Sequence, residues 1–290
     1  MRTFHELKKV LYQVRENEYN VPKGVDLESL IDDMLKFLGD TDSELRDELI
    51  CSTFYTWAHS DIFTTSLMHK ILNTCISEQY LFLGIGETNT DTVFTRAFSS
   101  LYIGLALCMH DEKEPYLTNE EVHNIKQALF SYVKQEKDFR GYVKGKGWAH
   151  SMAHVSDALN DLVFCDCLTR EDLLEILDVV KAIALNDALV YEAGEDDRIA
   201  VVFESICERE ILTNEDILNW LQSFDYPYDR EKGEYPQNFY SHVNRRHFLR
   251  CIYFMLLSLD GLEGIAEYVK EMLKRIEGDD EEDEEEDSDE

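Results

Sequence analysis

The sequence predicts an all-α protein: an α–α superhelix of roughly a dozen antiparallel-paired helices, HEAT-like, with no significant sheet. Three observations lead there. Apolar residues recur at helical spacing nearly everywhere along the chain. Only four prolines and thirteen glycines occur in 290 residues, too few for a turn-rich β fold. Helix start signals precede several of the periodic stretches.

In "FHELKKVLYQV", Phe4, Leu7, Val10, Leu11 and Val14 form one stripe, and "LESLIDDMLKFLG" repeats the pattern from Leu27 to Leu38 before Gly39 stops it. Further helices are expected at 43–58, 65–79 and 92–110. Thr118-x-x-Glu121 is a capping box before "VHNIKQALFSYV". Thr169-x-x-Asp172 and Thr213-x-x-Asp216 are Asp variants of it, in which the acid also opposes the helix dipole. Later helices are expected at 148–165, 170–186, 197–210, 214–223, 238–259 and 262–277. The longest irregular stretch, "FDYPYDREKGEYPQNFY" at 224–240, reads as an ordered surface loop packing over a groove. Repeating units of about 40 residues fit this pattern, although no repeated consensus is found. Residues 1–277 are expected to form a single domain, and 278–290 a disordered acidic tail with no apolar residue to bury.

The net charge of −32 is not only the tail's: eleven of the 60 acids lie there, and the body is acidic as well. Such a surface repels nucleic-acid phosphates and anionic membranes and attracts basic proteins or cations. Neither nucleic acid nor membrane is therefore expected as a partner. The longest apolar run, 248–259, is interrupted by Arg250 and too short to span a bilayer. Seven scattered cysteines, most of them inside apolar runs, read as reduced, buried thiols. The close pair Cys165 and Cys167 lacks a second pair at zinc spacing. The N-terminus is charged throughout and does not read as a signal peptide, so a cytoplasmic location is expected.

The candidate site lies in "GKGWAHSMAHVSDALNDLV", 145–163. At about 100° per residue, His150, His154, Asp157 and Asp161 fall in one stripe. Trp148, Met152, Val155, Leu159 and Leu162 gather opposite. The stripe therefore faces water or a polar groove, and a solvated face is the plain reading. The sharper reading is chemical. His150 and His154, spaced i and i+4, can both reach one divalent metal, with Asp157 as third ligand or orienter. The fourth ligand would come from elsewhere, with His59, His110 and His242 as candidates. The spacing is that of HExxH, but Ala153 stands where the glutamate would be, so that motif's general base is missing. Just upstream, Arg140, Lys144 and Lys146 with Gly147 form a basic, glycine-flanked helix entry suited to a phosphate or carboxylate. The same residues also suit a plain turn that needs glycine for positive φ. "HVNRRHFLR" places His242, Arg246 and Arg250 along one face, where they pair with acids or read an anion.

"LRDELICSTFYTW", "DTVFTRAFSSLYIGLAL" and "DFRGYVKGKGWAHSMAHVSDALNDLV" resemble the bacterial family described as domain of unknown function 2785, from residue 30 to residue 275. The resemblance implies a helical, cytosolic bacterial protein. It brings no activity and no functional residues, and the acidic tail departs from the family's usual end. Three function classes follow. The leading one is a binding or scaffold module with a groove lined by the 148–165 helix, taking a protein partner. The second is a metal-assisted or His-dependent hydrolase or transferase acting on an anionic small molecule. In it His150, His154 and Asp157 are catalytic, and Arg140, Lys144, Lys146 and Gly147 hold the anion. The third is an acidic decoy for a basic protein.

Overall fold

The computed structural model describes residues 1–60, 62–112, 115–229 and 233–286, the side chains of 112 and 279–286 excepted. Among the described residues it is all-α, with twelve α-helices and one two-stranded sheet. Where one continuous domain was expected over 1–277, the chain gathers into two compact units, Met1–Cys167 and Leu168–Glu290.

The first unit holds α1 (Phe4–Glu16), α2 (Leu27–Lys36), a π-helical segment (Glu44–Cys51), α3 (Ser52–Ala58) and α4 (Thr65–Cys75). There follow α5 (Thr92–Glu112), α6 (Asn119–Gln135), β1 (Tyr142–Val143), β2 (Gly147–Trp148) and α7 (Ser151–Val163). The expected capping box closes on α6: the Thr118 side chain accepts from Glu121 N, while the Glu121 carboxylate accepts from Thr118 N at 2.8 Å. The same device at Thr3 and Glu6 starts α1.

α5 is the core helix of this unit. Phe94, Phe98, Tyr102, Ile103 and Leu107 are buried along it, and each fully buried side chain of this size contributes about 1.5–3 kcal/mol. By length and composition Thr92–Asp111 could cross a membrane, which revises the reading that no run is long enough; 83% of that window is buried inside the protein, as in a core helix. α5 packs along α7, two helices on in the sequence, more extensively than on any other element. The approach is close because Gly104 has no side chain: a Cβ there would lie 2.9 Å from the Cα of Ala158.

The second unit holds α8 (Arg170–Ala184), α9 (Glu195–Glu208), α10 (Asn214–Gln222), α11 (Gln237–Leu256) and α12 (Glu263–Glu286). Thr169 with Asp172 and Thr213 with Asp216 form the capping boxes of α8 and α10, as expected. α11 packs against α8, α9 and α12. Its core includes Trp220, stacked on Phe203 at 5.5 Å and donating from Nε1 to Leu177 O at 3.1 Å. The expected disordered tail, 278–290, falls on residues whose side chains lie outside the described ones from 279 and whose backbone does so from 287; α12 runs through Glu286.

Candidate functional site

The "GYVKGKGWAH" stretch is a β-hairpin and not the first turn of a helix. Tyr142 pairs with Trp148 and Val143 with Gly147. Gly145 and Gly147 take φ of +80° and +83°, which side-chain-bearing residues rarely adopt, and the turn closes through Lys146 N to Val143 O at 2.9 Å. The helix expected from 148 therefore starts at Ser151. His150 sits at its N-cap in the left-handed region, φ 49° and ψ 41°. A non-glycine residue held there carries backbone strain, which is maintained where surrounding structure over-determines it.

The rings of this stretch form a ladder. Tyr142, 61% exposed, meets Trp148 edge-on at 5.0 Å, and Trp148, 42% exposed, stacks on His150 at 4.3 Å. His150 lies 6.0 Å from His154, which packs on Phe98 at 4.9 Å. The ladder thus runs from solvent into the α5–α7 core.

A single fully buried arginine braces the hairpin from beneath. Arg46, in the π-helical segment, donates from Nη2 to Lys146 O at 2.8 Å and Trp148 O at 3.3 Å, and from Nη1 to Asp40 O at 2.6 Å. It also grips Asp47 through Nε at 3.2 Å and Nη2 at 3.0 Å. Its guanidinium lies 4.4 Å from the Phe94 ring centroid and 5.0 Å from that of Phe98. Burial raises the Asp47 carboxyl above its ordinary value, against the downward pull of Arg46. π-Helical turns often mark functional positions. Sequence reasoning missed Arg46; in "LRDELI" it stands as one of three consecutive charged residues between Leu45 and Leu49.

The expected anion holders do not converge. Arg140 is bidentate on the buried Asp138 at 2.7 and 2.6 Å and donates to Thr90 O at 2.7 Å. Lys146 is paired with Asp91 at 2.6 and 2.7 Å. Lys144 is exposed at the hairpin turn, and Gly147 is buried against Arg46. The basic cluster fastens the 138–146 segment to the 89–91 loop. Beside it, the fully buried Arg96 is bidentate on Glu136 at 2.6 and 2.9 Å and also holds Leu83 O at 2.9 Å.

The polar stripe of α7 is not a solvated face either. His154 is 8% exposed and Ser156 fully buried, while Asp157, Asn160 and Asp161 are half-buried. The wheel assumed one-sided burial, but α7 packs on both α5 and α6. The Asp161 carboxylate lies 2.9 Å from where a Gly104 Cβ would stand, so the stripe turns toward α5. Tyr55 lies in the same field: burial, then Cys51, Asp161 and Asp157, push its phenol well up, and burial lifts the Cys51 thiol to about 12.

Among the described residues, no group of three or more His, Cys, Asp or Glu side chains is placed to hold a metal ion. Among the described residues, His150, His154 and Asp157 do not form such a group. His59 Nδ1 bonds Tyr55 O at 2.8 Å, and His110 Nδ1 accepts from Tyr116 N and Leu117 N, both at 3.0 Å. His242 lies in the second unit, stacked on Tyr228 at 4.4 Å. The seven cysteines form no disulfide.

Among the described residues, two cavities of the second unit stand out. One, of about 580 Å³, is walled by Asp196, Asp197 and Glu204 on α9 and by His247, Cys251 and Phe254 on α11. There the Cys251 thiol donates to Asp197 at 3.1 Å, and burial together with that bond and Asp196 pushes the thiol far up. Arg250, at the same cavity, bonds Glu277 at 2.7 Å, the acid pairing read from "HVNRRHFLR". The other, of about 430 Å³, lies between the 226–229 segment and α11, where the irregular loop was expected to cover a groove.

No curated protein and no solved structure matches the chain. The model of one family, described as "Protein of unknown function (DUF2785)", matches residues 81–254, a narrower span than the 30–275 of the sequence resemblance. That span takes in α5, the glycine-rich hairpin, α7 and the second unit as far as α11, more than half of the chain; the chain belongs to this family.

Proposed function

We propose that the protein is a cytoplasmic binding module that recognises a protein partner through the Tyr142–Trp148 hairpin of its first unit. The observation that carries this reading is the pairing of exposure with rigidity. Two large aromatic side chains stand 61% and 42% exposed on a strand pair held by Arg46, Gly147 and the Lys146–Asp91 bridge. Trp and Tyr dominate the energetics of protein interfaces. A recognition surface ordered before binding loses little entropy on association. The net charge of −32 favours a basic partner, and seven cysteines without a disulfide support a reducing compartment. The hydrolase or transferase reading loses support because Arg140 and Lys146 are committed to Asp138 and Asp91.

The test is site-specific photo-crosslinking in cells, with benzoylphenylalanine at position 142 and at the exposed control position Glu120. A discrete protein adduct at 142, absent at 120 and lost when Trp148→Ala is added, is the expected result. Equal adducts at both positions, or none at 142, would overturn the reading.

A further inference from the structure

The larger cavity of the second unit, between α9 and α11, carries an inference of its own, independent of the hairpin. We infer that it binds an organic amine: a protonated ammonium on a short apolar chain, as a free small molecule or as the lysine side chain of a peptide. At about 580 Å³ the cavity falls within the size range of small-ligand sites. Its two sides differ in chemistry, and that difference selects the ligand.

One side is α9, where Asp197 and Glu204 stand two helical turns apart on one face with Asp196 beside them. The other is α11, where His247, Cys251 and Phe254 follow in a single stripe. The groups across from the carboxylates do not neutralise them. The Cys251 thiol donates to Asp197 at 3.1 Å and to Asp196 at 3.8 Å, but a thiol gives a hydrogen bond and no charge. Burial holds His247 below its ordinary pKa in spite of Asp196, so at neutral pH it is uncharged as well. Arg250 also lines the cavity, and its guanidinium bonds Glu277 at 2.7 Å. A second observation is apolar. Phe254 is 66% exposed at this cavity, with Met255 next to it in the wall, and its ring packs on Tyr253 at 5.3 Å. An aromatic face takes both methylenes and a cation, and carboxylates take an ammonium. A bare metal ion is the poorer match, because among the described residues no three His, Cys, Asp or Glu side chains are placed to hold one.

Three probes separate the contributions: hexylamine carries chain and charge, hexanol the chain alone, Mg²⁺ the charge alone. Saturation-transfer NMR on the full chain reads the two organic probes directly. Hexylamine is expected to show transfer that exceeds that of hexanol severalfold, and Mg²⁺ at equal concentration is expected not to displace it. Acetyl-lysine methylamide assigns the source: transfer equal to that of hexylamine gives a peptide side chain, and transfer confined to hexylamine gives a free amine. Glu204→Gln and Phe254→Ala are each expected to weaken hexylamine about threefold, the scale of one exposed ion pair or one exposed cation–π contact. Glu120→Gln, the same charge change at an exposed position of the first unit, is expected to leave it unchanged. The unfolding midpoint of each variant, compared with wild type, separates loss of fold from loss of binding. Equal transfer to hexylamine and hexanol, or displacement by Mg²⁺ at equal concentration, would overturn the inference. So would hexylamine binding that survives unchanged in folded Glu204→Gln and Phe254→Ala, an equal loss in Glu120→Gln, or transfer to neither organic probe.

Discussion

Arg46 donates to the main-chain oxygen of Lys146 at 2.8 Å across a hundred residues of sequence, from a side chain with no exposure to solvent. One buried cation thereby sets the position of an otherwise short and exposed hairpin. Removing it strands the half-buried Asp47 and leaves three carbonyl oxygens without their donor. Arg46→Met should cost about 3–5 kcal/mol, the scale for breaking a buried charge pair. Arg46→Lys should not recover it, since an ammonium cannot reproduce the planar fork. Urea unfolding gives the cost, and a change in Trp148 fluorescence before the main transition would show the hairpin loosening first. An unfolding free energy within 1 kcal/mol of wild type would contradict the bracing role.

The two glycines of the hairpin should separate conformation from contact. Both take positive φ, but nothing lies within 4 Å of a Cβ at Gly145, whereas at Gly147 a Cβ would stand 2.7 Å from Ser43 Cβ and 2.9 Å from Arg46 Nη2. Gly145→Ala should cost only the left-handed penalty of about 1–2 kcal/mol. Gly147→Ala adds a collision with the arginine that holds the turn, and its cost should exceed that of Gly145→Ala by at least about 1 kcal/mol. Equal unfolding midpoints for the two variants would show that Arg46 yields without loss.

Which parts were legible in the sequence follows from the range of the forces involved. The capping boxes at Thr118, Thr169 and Thr213 were readable because each is completed within four residues. The helices were readable because burial imprints a period. The hairpin was not: strands of two residues are too short to show alternation, so Trp148 was assigned to the helix that follows. The stripe His150, His154, Asp157 and Asp161 was seen, but its surroundings were misread, because a wheel cannot tell one-sided burial from packing on both α5 and α6. Lys146 looked like part of an anion site because its partner Asp91, 55 residues away, is matched to it only by the fold, whereas the partner of Arg140, Asp138, stood two residues away in the sequence.

The α5–α7 contact gives a case where helix propensity and packing oppose each other. Alanine is favoured over glycine in a helix interior by about 1 kcal/mol. At Gly104, however, the new methyl would come 2.9 Å from both Ala158 Cα and the Asp161 carboxylate, and backbone cannot swing aside as a flexible side chain does. Overpacking of this kind typically costs 1–3 kcal/mol. Gly104→Ala should therefore be destabilising in thermal denaturation, and Gly104→Val more so. A raised melting temperature for Gly104→Ala would mean that propensity wins and that the helices have room to part.

His110 should make stability depend on pH near neutrality. Its Nδ1 accepts two backbone amides, Tyr116 N and Leu117 N, and burial lowers its pKa, opposed by Asp111, Asp166 and Glu121. Protonation would put hydrogen where those two amides point. With the folded pKa below the unfolded value of about 6.5, the unfolded chain binds more protons between the two values. The contribution of His110 is therefore complete above about pH 6.5 and is lost as pH falls through that value toward the folded pKa. Asparagine offers an acceptor near the Nδ1 position but does not titrate. Urea midpoints measured from pH 8 down to pH 5 should fall more steeply for wild type than for His110→Asn, with the gap between them changing mainly below pH 6.5. Parallel curves would remove His110 as the titrating group.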